Sequence, residues 1–269
     1  MKAARGMRPR LPLCMHNQAS AMNLSIKRAV ASGSRQRVRI ALRGRRNGLS
    51  TFRGRRLCGT EEEGDNNTIP RGSIVLPGSF NPLHFGHLHL GWSAFSFLQE
   101  KSMAPAMLVF EISVLNADKG YISEDVLNTR VDQFLEGDLK EFPGTTASNF
   151  LATSAESIYA VALTEAPLFT EKAALFPGCM FIIGVDTFVR IINAKYYDGE
   201  DHLRESLREI ENLDCSFLVA CRADAGEAEV KVLEDYAKDI PPGFDKLFLS
   251  LPPQVFRADI SSTEIRARI

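Results

Sequence analysis

The chain has 269 residues, a formal net charge of −1, 45% hydrophobic residues and 9% aromatic ones, a composition that excludes a disordered polymer. Its apolar runs, such as 106–110 and 180–185, fall well short of the ~18–20 residues a membrane-spanning helix needs. The near-neutral charge is a cancellation: the first sixty residues hold 15 of the 32 basic residues and none of the 33 acidic ones, so a basic leader precedes an acidic remainder.

In the leader, residues 1–60, Arg28, Arg35, Arg39, Arg43 and Arg46 recur at helical spacing, with Leu24, Ile26, Val30, Val38, Ile40 and Leu42 available for another face. An arginine-rich, serine-containing, acid-free start has the composition of an organellar transit peptide. Mitochondrion or plastid is therefore the expected destination, with cytoplasm or nucleus as the alternative. A disordered arm touching RNA through Gly44-Arg45-Arg46 and Gly54-Arg55-Arg56, and a misassigned gene start, are the competing readings. On any of them the leader stands outside the fold. Residues 61–72 form an acidic linker closed by Pro70-Arg71-Gly72, and 73–269 is one domain, long enough for a single core.

Within that domain, 73–76 is expected as a buried strand running into the Pro77-Gly78 turn. Residues 87–98 follow as a helix with Leu88, Trp92, Phe95 and Leu98 on its apolar stripe, Trp92 being core. A strand over 106–115 and a helix over 123–139, N-capped by Ser123, come next. Then follow a strand at 158–163, a short helix at 169–175, a strand at 179–184 handing over to a helix at 185–192, a helix at 202–213, and strands at 215–220 and 246–251. Strands alternating with helices predict an α/β fold with a mainly parallel sheet. Ligands of such sheets gather at the carboxyl ends of strands near a topological switch point, which directs attention to the loops after Leu76 and Gly184. Cys179, Cys215 and Cys221 lie in or beside strands and are expected as packing residues; with no C-x-x-C pair, a reducing compartment fits best. No two glycines are spaced G-x-G and no P-loop motif occurs, so the usual dinucleotide and P-loop signatures are missing.

The loop from Pro77 to His87 reads Pro-Gly-Ser-Phe-Asn-Pro-Leu-His-Phe-Gly-His. A strand end, a glycine turn and a helix start present free N–H groups to an anion. Gly86 removes a side chain and permits close approach. His84 and His87, three residues apart, share a face and can both donate to phosphate oxygens; His89 falls off that face and is surface or structural. At the far end, Ser261 and Glu264 fit a capping box. Ser262, Thr263 and Arg266 would set two hydroxyls and a guanidinium around that helix start, a second clamp for a polyphosphate.

Residues 78–87 (GSFNPLHFGH) and 260–266 (ISSTEIR) resemble the paired signatures of the HxGH nucleotidyltransferase superfamily. The joint pattern is most similar to nicotinamide-nucleotide adenylyltransferases and the cytidylyltransferase-like proteins of plants and fungi. The stretches 110–119 (FEISVLNADK), 175–178 (LFPG), 184–190 (GVDTFVR) and 195–199 (KYYDG) extend the resemblance across roughly 72–269. It implies a Rossmann-like nucleotidyltransferase fold, a mainly parallel sheet with helices on both faces, and transfer of AMP from ATP to nicotinamide mononucleotide, giving NAD and pyrophosphate. By the same resemblance His84, His87 and Arg266 are the catalytic groups. Gly78, Ser79, Phe80, Gly86, Gly184, Asp186, Ser262 and Thr263 bind the nucleotide, and Lys119 and Arg130 are candidates for the acceptor phosphate. For Asp186 a helix N-cap, and for Lys119 and Arg130 a solvated surface, are the competing readings. Mg²⁺ is implied as a cofactor carried by the triphosphate. The partners implied are ATP and a small phosphorylated acceptor, with no membrane or nucleic acid; a homo-oligomer stays open. Asn81 stands where many nucleotidyltransferases have Asp, and no tryptophan is placed to stack on a nicotinamide. Cytidylyl transfer and pantetheine-phosphate adenylyl transfer therefore stay open, as does a non-catalytic nucleotide or RNA binder.

Overall fold

The structure is a computed structural model describing residues 38–46, 51–56, 69–116, 120–138, 158–223 and 230–257. Lys119, Ser262, Thr263, Arg266 and the capping box at Ser261 lie outside the described residues. Strands β1 (Arg39–Arg46) and β2 (Thr51–Arg56) come first. They are followed by β3 (Ile74–Pro77), α1 (Phe85–Glu100), β4 (Leu108–Ser113), β5 (Leu115–Asn116), β6 (Gly120–Tyr121), α2 (Glu124–Asp132) and β7 (Glu136–Asp138). Next are β8 (Ile158–Thr164), α3 (Phe169–Leu175), β9 (Met180–Gly184), α4 (Val185–Ile191) and α5 (Glu200–Asn212). Strands β10 (Ser216–Ala220), β11 (Arg222–Ala223), β12 (Val230–Lys231) and β13 (Phe248–Leu251) complete the order.

One sheet organises these elements, in the order β13-β10-β9-β3-β4-β8-β1-β2-β7. From β13 to β8 every ladder is parallel, and β1, β2 and β7 add antiparallel strands at one edge. The fold is thus α/β with a mostly parallel mixed sheet, consistent with a Rossmann-like arrangement. The central strands bury both faces and so read as continuous apolar runs. Alternate residues serve two cores. Ile74, Leu76, Leu108, Phe110, Tyr159 and Val161 pack on one side with Leu88 and Trp92 of α1. Val75, Val109, Ala160, Phe181, Phe217 and Val219 pack on the other with α4 and α5 residues such as Phe188 and Leu207. Helices therefore cover both faces. Each buried Leu, Val or Phe contributes about 1.5–3 kcal/mol.

Where expectation and structure part, the reasons are local. The helical spacing of Arg39, Arg43 and Arg46 does not give a helix, because 39–46 is extended and pairs with β8, with Ile40 and Ala41 buried. Those residues and 51–56 fall in the segment that the charge boundary sets aside as leader, and they are strands of the sheet. The strand expected over 106–115 ends at Ser113, whose Oγ donates to Leu115 O, and Leu115 pairs with Tyr121 of β6 instead of continuing along β8. The helix expected over 123–139 stops at Asp132. Phe134 is needed in the core against Phe80 and Phe110, and Gly137 then lies in a strand beside β2.

Candidate functional site

The crevice is set by the chain's path across the sheet. From β3 the chain proceeds through α1 to β4 and on to β8, then crosses back to lay β9 on the other side of β3. The β3–β9 ladder ends at the Val75–Phe181 pair, while β9 stays paired with β10 through Gly184 and β3 with β4 through Pro77. The two strands part, and the loops after Pro77 and Gly184 flank the gap. That is a topological switch point, where open α/β sheets hold their ligands.

The loop from Gly78 to His84 is built around Phe80. This residue has φ +44°, an unusual value for a side chain larger than glycine, and such a backbone costs about 1–3 kcal/mol. Burial offsets it: the ring is fully buried, edge-on to Phe110 at 5.7 Å and Phe134 at 5.3 Å. Gly78 makes this possible, since a Cβ there would stand 2.7 Å from Phe80 Cζ. The Gly78 N–H is anchored to Glu111 O at 2.9 Å. Gly78 and Phe80, expected to shape a ligand pocket, thus first of all shape each other. Ser79 is exposed.

His84 is the N-cap of α1, and His87 sits one turn in. Their rings stack with centroids 3.6 Å apart and 27° between planes. Gly86 allows the stack, because a Cβ there would meet His84 Nδ1 at 3.0 Å. Close approach at Gly86 was legible, but what approaches is the neighbouring imidazole. The His84 backbone N–H donates to His87 Nδ1 at 3.3 Å. That nitrogen must be unprotonated, which leaves the proton on Nε2 as a neutral donor. Burial drives the His84 pKa down to about 4; burial, and then the charge His84 would carry, drive His87 down to about 3. Both rings are neutral at pH 7. The Phe80 ring meets His87 edge-on at 5.0 Å. His89 is buried, not at the surface, between Phe85 and Phe256, with neither ring nitrogen hydrogen-bonded among the described residues.

Across the gap, Gly184 is exposed with φ in the ordinary extended region, and an added Cβ would meet nothing within 4 Å. It is Gly184, not Asp186, that caps α4; Asp186 is exposed in the first helical turn. Arg130 lies in the last turn of α2. Its guanidinium is half-buried rather than fully solvated, and its Nε is sequestered with no acceptor among the described residues. Burial pulls its pKa down, a cost that an arriving anion would relieve.

Three polar residues at this end of the sheet went unremarked in the sequence. Gln133 accepts from Leu83 N–H at 2.7 Å through Oε1 and donates through Nε2 to Phe80 O at 3.0 Å and Arg130 O at 3.4 Å. Glu111 and Lys172, both buried, form a bidentate ion pair at 2.7 and 2.8 Å. Lys172 spends its third proton on Ala166 O at 2.7 Å, and the Thr164 hydroxyl donates to Glu111. A glutamate inside LVFEIS is a visible signal, because a charge in a buried strand needs a partner. Nothing in the sequence marks Gln133 or names Lys172 as that partner.

Cys179, Cys215 and Cys221 are buried. Burial pushes Cys179 up to about 12 and raises Cys215 as well, so they pack rather than react at neutral pH. No described helix is long and apolar enough to cross a membrane. No protein-family model matches the chain, and no curated protein matches it. Fold and site alone define an α/β protein of Rossmann-like build that carries a stacked histidine pair at a helix N-terminus beside its switch point.

Proposed function

We propose that the chain is a nucleotidyltransferase of the Rossmann-like nucleotidyltransferase fold, moving AMP from ATP to nicotinamide mononucleotide with release of pyrophosphate. The observation that carries the reading is the His84–His87 pair, stacked at 3.6 Å at the start of a 16-residue helix, both rings neutral at pH 7 and His87 held as an Nε2–H donor by the backbone bond to its Nδ1. An acceptor phosphate oxygen forms a bond to the α-phosphorus, the bond to the bridging oxygen breaks, and charge grows on the leaving pyrophosphate. No covalent nucleophile is needed. Catalysis then consists of positioning and of donors aimed at developing charge. His87 is such a donor, His84 braces it and adds a second N–H, and the dipole of α1 adds partial positive charge.

Arg130, whose Nε has no acceptor among the described residues, suits the acceptor phosphate. Ser262, Thr263 and Arg266 are proposed to hold the β- and γ-phosphates. What supports their presence here is the path of the chain before them. The Phe256 ring rests on His89, two residues past His87, at 5.2 Å, and Cys221 Sγ donates to Phe256 O at 3.1 Å. Arg266 is ten residues further on. The donors at the crevice are imidazole and backbone N–H groups, which suit phosphate oxygens and not a hard cation. Among the described residues no cluster of His, Cys, Asp and Glu could cage a metal. Mg²⁺, which the resemblance implies, would be carried by the triphosphate and neutralise part of its charge.

The test is incorporation of labelled pyrophosphate into ATP in the presence of nicotinamide mononucleotide. Its acid, phosphopantetheine and choline phosphate serve as competing acceptors, and CTP as the competing donor. Exchange with ATP and nicotinamide mononucleotide is the expected result. Absence of exchange with every one of these acceptors, alongside measurable ATP binding, would leave a binder and overturn the proposal. His87→Ala should lower turnover roughly 10²–10³-fold, the range for a lost preorganised donor, with the far-ultraviolet spectrum unchanged.

A further inference from the structure

Gln133 stands at the C-cap of α2 and is 50 residues from the nearer of its two loop partners. It nonetheless uses its whole amide. Its oxygen takes the Leu83 N–H, and its NH₂ group gives to the carbonyls of Phe80 and Arg130. A flipped amide would oppose nitrogen to N–H and oxygen to carbonyl, so the orientation is forced. Among the described residues the loop Phe80–His84 pairs with no strand, and Gln133 supplies what a strand would: an acceptor for Leu83 N–H and a donor to Phe80 O on either side of Asn81-Pro82. The same NH₂ ties the loop to the carbonyl of Arg130. A single side chain thus joins the backbone that carries the histidine pair to the helix turn that carries the half-buried guanidinium.

We propose that Gln133 is a positioning residue, holding the Phe80–His84 loop so that the His84–His87 stack and Arg130 face one another across a fixed distance. It touches no reacting atom and acts through the backbone it grips. The inference rests on the nucleotidyl-transfer reading for its kinetic consequence, but not for its structural one. Displacing a preorganised donor by about 1 Å costs on the order of 10²-fold in rate. Because such donors act mainly in the transition state, the loss belongs in kcat and not in KM for ATP.

The experiment uses the full chain with ¹⁵N-labelled histidine and two variants, Gln133→Leu and the isosteric Gln133→Glu. In the wild type His87 should show the Nε2–H tautomer and no titration between pH 7.5 and 5. In Gln133→Leu it should titrate within that range as the stack loosens, with kcat down about 10²-fold and KM for ATP within about threefold. Gln133→Glu keeps the volume and the acceptor for Leu83 but sets a carboxylate against the Phe80 carbonyl. That contact raises the carboxyl pKa, and protonation restores the missing donor. Its turnover, relative to wild type, should rise as pH falls from 8 to 5.5. A lowered melting temperature with His87 titration, kcat and pH profile all unchanged would reduce Gln133 to a structural residue and overturn the proposal. If the wild type transfers nucleotide to no acceptor, the functional reading falls, while the titration of His87 in Gln133→Leu still decides whether Gln133 positions the pair.

Discussion

At Gly86 the missing side chain has a definite beneficiary, since the space a Cβ would take lies 3.0 Å from His84 Nδ1 and 3.1 Å from Cε1. Gly86→Ala therefore sets two effects against each other. Alanine in place of a helical glycine favours the helix by about 0.5–1 kcal/mol. The added methyl pushes the His84 ring off the His87 ring. Stability should hold or rise while turnover falls on the order of tenfold, because a donor displaced by a few tenths of an ångström loses part of its effect. Thermal melting and kcat, measured together on the variant, decide it; a large loss of both would mean the methyl disrupts the fold and not the stack. The residue scale also shows what spacing can and cannot reveal. His84 and His87 at i and i+3 were legible as neighbours, because a helix puts those positions on one face. The N-cap backbone bond that sets the His87 tautomer was not, since it depends on the ring's rotamer. Nothing in the sequence shows that the Phe80 side chain turns into the core, which it does because Gly78 leaves room for it.

Helices and strands followed the hydrophobic pattern where one element meets one core face. The helix expected at 169–175 coincides with α3, and Leu88, Trp92, Phe95 and Leu98 are buried along α1, although Ser93, Ala94, Ser96 and Phe97 between them are buried as well. Failures came where an element answers to a partner far away in sequence, as at the end of α2, where Phe134 and Gln133 serve β4 and the loop after β3. The tie between α3 and β4 is of that kind. Lys172 and Glu111 are 61 residues apart, their side chains are 6% and 1% exposed, and every ammonium proton has an acceptor. Desolvating two charges is repaid only by such complete pairing, so the pair is a poor source of net stability but costly to break halfway. Lys172→Met leaves the Glu111 carboxylate stranded and should lose about 3–5 kcal/mol. Glu111→Gln combined with Lys172→Met removes both charges and should recover a good part of that. Urea unfolding of the three proteins gives the comparison; a double variant no more stable than Lys172→Met would show that the geometry, not the stranded charge, carries the cost.

For the molecule as a whole, alternation of strands and helices announced a parallel α/β sheet, but strand order is a long-range property that no local pattern encodes. The switch between β3 and β9 emerged only from the register, together with the antiparallel edge of β1, β2 and β7. The start of α1 beside that switch has a consequence for global stability. Burial lowers the pKa of His84 to about 4, of His87 to about 3, and of His89 as well, whereas the unfolded chain binds protons at those imidazoles near pH 6.5. As pH falls below 6.5 the unfolded state takes up protons that the folded state refuses, so stability that is complete above this value declines. His202, exposed and raised by its bond to Asp198 O and the carboxylates around it, works in the opposite direction, but among the described residues it is one histidine set against three whose pKa desolvation lowers. Between pH 6.5 and 5 most carboxylates remain ionised, which isolates the imidazole contribution. The urea midpoint should fall over that interval, and His89→Leu, by removing one buried titrating ring, should make the fall shallower. A midpoint that holds constant or rises from pH 6.5 to 5 would mean that the rings take up protons in the folded chain, and the neutral pair assigned to the helix start could not stand.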